Sequence, residues 1–248
     1  MADTALVRRR IADPRIALVC LGYCGGGVGA YMPWARVLPA AAELAVVCYP
    51  GREGRLTEGF ARDWATLALD CADAVSRIGD LPYVLFGHSM GGWMALDVAA
   101  RLRESGRPSP EAVVVSSANA PNHPRNLTGI APASADSDAD LVSWMSTYGL
   151  LPPHVREESI LTAMALDLLR ADVRVRDSFR YREDLLAKVP LQILTGAQDS
   201  TIGQDATAQW RALAADTFRH DVLPGGHFFT PEVWASLPSR IPALGDGG

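Results

Sequence analysis

The stretch that most constrains this chain is Gly87-His88-Ser89-Met90-Gly91-Gly92. A short apolar run, Tyr83-Val84-Leu85-Phe86, stands before it. After it, residues 90–104 carry Met94, Val98 and Leu102 at helical spacing. A strand that turns directly into a helix holds its central residue in a strained conformation, where the β-carbon of a bulky neighbour would clash. Glycines at 87 and 91 remove that clash and leave the Ser89 hydroxyl standing above the strand end.

The rest of the chain repeats this alternation. Ile16–Leu21 is predicted as a buried strand ending in a Gly25-Gly26-Gly27 loop, and Leu44–Tyr49 as a second, ending at Pro50-Gly51. Residues 63–78 have helical spacing through Trp64, Leu67, Ala68, Cys71, Val75 and Ile78. Ala112–Val115, Leu191–Thr195 and Phe218–Leu223 complete six strands, with helices expected over Gln204–Leu213 and Thr230–Leu237. Continuous apolar strands alternating with helices predict an α/β fold: a mostly parallel central sheet with helices on both faces. The rhythm breaks between residues 120 and 188. That stretch opens with Pro121, Pro124 and Pro132 and turns helical over 141–148 and 157–177. It is expected to be a helical lid insertion, about 121–188, in a single domain spanning 1–248.

Composition narrows the function classes. Hydrophobic residues make up 48% and charged residues 21%, so a packed core rather than a disordered chain is expected. The net charge is −5, which argues against nucleic-acid partners. Cys20, Cys24, Cys48 and Cys71 form neither a metal-spaced set nor a disulfide framework, which suits a reducing cytoplasm. Arg8-Arg9-Arg10 mimics a twin-arginine signal, but the segment after it is not apolar and Ile16–Leu21 is too short for a signal core. No run approaches a membrane span. A cytoplasmic location and no membrane association are expected.

Chemistry concentrates at strand ends. Ser89 is the candidate nucleophile, with helix-start N–H groups aimed at a developing oxyanion. His227, in Gly225-Gly226-His227-Phe228-Phe229 just past the sixth strand, is the candidate base. His220 lies within a strand pattern and His123 and His154 in the lid, so they are weaker candidates. Asp199 ends the fifth strand and is the candidate orienting carboxylate. Asp205 suits an N-cap, Asp221 lies in a strand, and no carboxylate follows the fourth strand in Ser116-Ser117-Ala118-Asn119. The order Ser89, Asp199, His227 is that of α/β-hydrolases. Backbone N–H groups of Met90 and Cys24 are the candidate oxyanion donors. The Gly22–Gly27 loop lacks the spacing of a phosphate cradle, and no histidine motif flanks Cys24 to make it a thiol nucleophile. Tyr23, Gly25, His88 and Phe228 are the candidate substrate-binding residues, with His88 also read as packing beneath the elbow. No metal or cofactor is needed for this chemistry. Arg170, Arg174, Arg176, Arg180 and Arg182 are balanced by Asp167, Asp172, Asp177, Glu183 and Asp184, which predicts internal pairs on a solvated helix rather than a basic dock. Trp144, Met145, Tyr148, Leu150 and Met164 could line a channel or simply fill the core.

These pieces together resemble a type II thioesterase of polyketide or nonribosomal peptide assembly. The resemblance rests on Tyr49-Pro50-Gly51-Arg52-Glu53, Phe86-Gly87-His88-Ser89-Met90-Gly91, Leu169-Arg170-Ala171-Asp172, Gly196 with Asp199, and Gly225-Gly226-His227-Phe228-Phe229. It extends to the basic stretch before Leu18 and to Trp34 beyond the Gly-rich loop. The family's Pro-His-Ala-Gly-Gly is replaced here by Gly22-Tyr23-Cys24-Gly25-Gly26. The resemblance implies a monomeric serine hydrolase of α/β-hydrolase fold. Its substrate would be an acyl group on the phosphopantetheine arm of an acyl or peptidyl carrier protein, and its role the removal of stalled or aberrant units. A free-standing carboxylesterase, an acyltransferase using the same triad and a catalytically dead binding module are the competing readings.

Overall fold

The computed structural model describes residues 4–123 and 131–245. Pro124 and the rest of 124–130, within the expected lid, lie outside the described residues. Seven strands form one sheet: β1 (Leu6–Arg9), β2 (Ile16–Leu21), β3 (Ala42–Val47), β4 (Tyr83–His88), β5 (Ala112–Ser116), β6 (Leu191–Gly196) and β7 (Phe218–Leu223). Their order is β1-β3-β2-β4-β5-β6-β7. All neighbours are parallel except β1, which pairs antiparallel with β3. The chain steps from β2 outward to β3 and then back past it to β4. The carboxyl ends of β2 and β4 thus flank a topological switch point, where open α/β sheets bind ligands.

Alternate residues of the central strands enter two cores. Ala17, Val19, Leu21, Leu85, Val113 and Val115 face one, and Leu18, Cys20, Val84, Phe86, Ala112 and Val114 face the other. Burial on both faces is why these strands read as unbroken apolar runs. Helix α1 (Trp64–Ser76), helix α2 (Met90–Glu104) and Trp210 of α6 (Ala206–Leu213) cover the first face. The second is covered by short 3-10 turns around Tyr31 and Trp34, by Trp234 of α7 (Pro231–Ser236), and by Leu237, Ile241 and Leu244. Trp34 Nε1–H donates to Trp234 O at 2.8 Å, closing that face.

The structure differs from the sequence reading at β1, β3 and Asp205, and in a short extra helix over Pro153–Glu157 ahead of the helix expected from 157. Strand β1 lies in the basic stretch that had no predicted element, and β3 starts two residues early and ends two residues early. One contact explains both: Glu43, almost fully buried in β3, pairs with Arg8 of β1 across the sheet edge. A charged residue that finds its partner on an edge strand breaks the apolar pattern without breaking the strand. Asp205 does stand at the start of α6, but its side chain caps no N–H there.

Between β5 and β6 lie α3 (Asp138–Thr147), α4 (Pro153–Glu157) and α5 (Ser159–Asp177). Ser137 caps α3, accepting from Asp140 N. From Leu166 onward one face of α5 is core, with Leu166, Leu169, Val173 and Val175 buried, whereas Ile160, Leu161 and Met164 before it are exposed. Among the described residues no helix is long and apolar enough to cross a membrane.

Candidate active site

Ser89 joins β4 to α2 at φ 55°, ψ −121°, a strained conformation for a residue with a β-carbon. The strain is imposed by close packing. A β-carbon on Gly87 would lie 1.8 Å from Gly91 O, and one on Gly91 would lie 2.3 Å from Leu21 O. Only glycine lets the helix start press against both its own strand and β2. Ser89 N–H donates to Ser116 O at 2.7 Å, which locks the turn to β5.

The three candidate triad residues meet at the strand ends. Ser89 Oγ lies 3.1 Å from His227 Nε2, and His227 Nδ1 lies 3.0 Å from Asp199 Oδ2. With the proton on Nδ1, the imidazole donates to the carboxylate and accepts from the serine. Asp199 and His227 are both buried. Burial pushes the Asp199 carboxyl up, but its hydrogen bonds with His227 and Thr201 outweigh this and leave it below the ordinary carboxylate value. Their loops are also joined directly: Gln198 N–H donates to Gly225 O, and Gly225 N–H to Gln198 Oε1.

Two site residues had no role in the sequence reading. Thr201 Oγ1 donates to Asp199 Oδ1 at 2.6 Å and lies 3.1 Å from His227 Nδ1, so it bridges acid and base. Asn119 Nδ2 donates to Thr201 O, and its Oδ1 accepts from Gly203 N. The stretch after β5, noted above only for lacking a carboxylate, therefore anchors the Asp199 loop. A threonine two residues past an aspartate carries no sequence signal that separates this from an ordinary turn.

A cavity opens beside Ser89. Its walls include Tyr23, Cys24, Met90, Trp93, Trp144 and Phe228. Cys24 lies three residues past the end of β2. Its thiol, pushed up to about 12 by burial, donates to Met90 Sδ, which leaves no reactive thiolate. Cys24 N–H finds no acceptor among the described residues. Two of the four candidate substrate-binding residues, Tyr23 and Phe228, line the cavity; Gly25 and His88 do not. Gly25 N–H is turned onto Asp172. His88 is fully buried with Nδ1 3.0 Å from Ser116 Oγ, packed against Tyr23, Phe228 and Trp234. Burial, and next the nearby His227, push its pKa well below the ordinary histidine value. It is a neutral packing residue, as the elbow reading expected.

Of the five lid residues weighed as channel lining, Trp144 reaches the cavity. Met145 is core, Met164 faces outward, and the Tyr148 ring lies 6.1 Å from that of His227. The expected internal pairs form at Arg176 with Asp177 and Arg182 with Asp184, but Arg170 pairs with Asp138, Arg182 also with Glu104, and Asp172 with Arg52, all in other segments. Arg170 also donates to Ser134 O and Asp136 O, and Arg176, at the cavity wall, to Pro132 O. These bonds hold residues 132–138 over the site. His220 sits between Thr195 and Thr207 hydroxyls, a structural place.

Comparison with known proteins shows the family. The thioesterase domain model matches residues 17–241. The chain is 32% identical over 251 residues to the AMB antimetabolite synthetase AmbE of Pseudomonas aeruginosa, covering 98% of this chain but 11% of that one. It is 31% identical over 226 residues to a probable cadicidin biosynthesis thioesterase of Streptomyces griseus, covering 91% of this chain and 61% of the relative. Among solved structures, the type II thioesterase BorB of the borrelidin biosynthetic cluster superposes with a TM-score of 0.85 at 30% identity, covering 98% and 99% of the two chains. The sheet is thus that of an α/β-hydrolase-like thioesterase, and the chain belongs to the thioesterase family of serine hydrolases.

Proposed function

We propose that the protein is an editing thioesterase that frees carrier proteins from stalled or aberrant acyl groups. The observation that carries this reading is the hydrogen-bonded chain Asp199–His227–Ser89 at the floor of a largely apolar cavity roofed by α3 and residues 131–132. The segment 121–188 is read as the lid of a single catalytic domain. The likeness to the type II thioesterase BorB of the borrelidin cluster and to the probable cadicidin biosynthesis thioesterase supports the substrate class.

In this reading Ser89 Oγ attacks the thioester carbonyl while His227 Nε2 takes its proton. The Met90 and Cys24 N–H groups receive the oxyanion. The C–S bond breaks, His227 returns the proton to the departing phosphopantetheine thiol, and an acyl-Ser89 ester remains. Water then attacks that ester with His227 as base, and the free acid leaves. Asp199 holds the Nδ1–H tautomer and stabilises the imidazolium, with Thr201 holding Asp199. The carrier protein is the partner.

Intact-protein mass spectrometry on acetyl-, propionyl- and longer acyl-carrier proteins tests this. Matched free thioesters and p-nitrophenyl esters run beside them, with a Ser89→Ala variant as control. Acyl mass is expected to leave the carrier faster than the free thioester, and not with the variant. Carriers that stay loaded while small esters turn over would make the protein a simple carboxylesterase instead.

A further inference from the structure

The loop that carries Cys24 is not held by the sheet alone. Gly26 N–H donates to Tyr23 O at 2.9 Å, closing a tight turn with Gly25 at φ 77°, a conformation that suits glycine. The turn uses neither the Cys24 nor the Gly25 N–H. The Gly25 N–H donates to Asp172 Oδ2 at 2.8 Å, and Gly26 O accepts from Arg52 Nη1 at 2.7 Å. Arg52 and Asp172 bond each other at two points, 2.9 and 2.6 Å, and both are almost fully buried. Glu53 secures the next stretch by accepting from Val28 N and Gly29 N. Arg52 and Glu53 follow β3, whereas Asp172 belongs to α5 of the segment over the site.

A buried ion pair is a poor device for stability. Desolvation offsets its attraction, and apolar residues of similar volume often serve as well. Here an apolar pair would leave the Gly25 N–H and the Gly26 carbonyl without partners. The bidentate geometry of Arg52 also fixes direction, which a point charge would not. What the pair supplies is therefore aim: it clamps the peptides on the far side of Cys24.

From this we infer that Arg52 and Asp172 are positioning residues for the oxyanion loop, setting the Cys24 N–H and making the lid helix α5 part of the oxyanion site. The inference rests on the reading of Ser89 as nucleophile and Cys24 N–H as oxyanion donor.

The test is the rate at which a fluorophosphonate labels Ser89. Labelling forms an Oγ–P bond, expels fluoride and passes the serine proton to His227, so it needs the oxyanion site but no carrier protein. Asp172→Asn keeps the shape and weakens the clamp. An Arg52→Met/Asp172→Leu double variant removes both charges together, which guards against a buried unpaired charge unfolding a single variant. Both are expected to label about 10- to 100-fold more slowly, short of the about 10²- to 10³-fold cost of deleting an oxyanion donor outright. For thioester turnover kcat should fall by the same factor, with KM within about twofold. An Arg8→Met/Glu43→Leu variant, which removes the pair at the sheet edge, should label at the unaltered rate with little change in thermal stability. A folded double variant that labels normally would overturn the positioning role and leave the nucleophile reading intact. No labelling of Ser89 in the unaltered protein would overturn both.

Discussion

The two halves of the site are built by different physics. The floor, β4 into α2, is fixed by backbone sterics: two β-carbons that have no space and a Ser89 N–H bonded across to β5. The roof, α3 to α5 with residues 131–138, rests on buried apolar residues such as Leu141, Leu169 and Val173, and its 131–138 part is tied down by side chains reaching between segments, chiefly Arg170 to Asp138 and to two carbonyls. Its outer face leaves Ile160, Leu161 and Met164 in solvent. A site made this way keeps Ser89 rigid while its walls can be retuned by surface substitutions. The Arg52–Asp172 pair is where the two halves meet.

The comparison can be broken at several points. The largest effect belongs to the floor's chemistry: Ser89→Ala should cut acyl-thioester turnover by roughly 10⁴- to 10⁶-fold with the melting temperature nearly unchanged, read from steady-state rates and thermal melts. Asp199→Asn should approach the lower figure by favouring the wrong imidazole tautomer. Next comes Gly91→Ala, whose new β-carbon meets only backbone, at Leu21 O and Gly22 O. It should cost more than about 3 kcal/mol or prevent folding, seen in denaturant titration. A tolerated Gly91→Ala would mean the elbow is not held by sterics.

A pH effect of intermediate size should come from His88. Its folded pKa lies well below the ordinary 6.5, so below pH 6.5 the unfolded chain binds a proton that the folded one refuses. The stability this contributes is complete above pH 6.5 and is lost as the pH falls toward the folded value, by up to about 1.4 kcal/mol per pH unit. Chemical denaturation between pH 7 and 5 should show a shallower slope in His88→Gln. The smallest effect belongs to the roof. Arg170→Ala removes a half-exposed pair and should change global stability by no more than about 1 kcal/mol. It should nevertheless raise amide exchange over residues 132–138. A large loss of stability would show that the roof is as rigid as the floor.

The contrast also explains what the sequence made legible. The elbow could be read because its requirements are local: an apolar run, glycines at fixed offsets and a helical period. Ser89 and Asp199 could be proposed because β4 and β6 are buried on both faces and leave largely apolar runs ahead of them, whereas His227 lies beyond β7, an exposed and polar edge strand, and stands out by its Gly225-Gly226-His227-Phe228-Phe229 setting. The Leu6–Arg9 strand escaped notice because it is a four-residue edge with two arginines, one paired with a glutamate that is distant in sequence. Thr201 and Asn119 act through bonds across the strand ends that no spacing rule encodes. Arg52 and Asp172 stood within recognisable motifs, but 120 residues separate them, and only the fold brings them to one loop. Met164 shows the converse: helical spacing placed it among the lid's apolar residues but could not say that this face of α5 looks outward.

The central claim is that the thioester is cleaved through an ester on Ser89. Rapid acid quench of the protein with a short-chain acyl-carrier protein, followed by peptide mass spectrometry, tests it directly. A transient acyl mass is expected on the peptide containing Ser89, formed as the carrier loses the same mass and absent from Ser89→Ala. Carrier deacylation that persists in Ser89→Ala, or an acyl mass on a different residue, would contradict it.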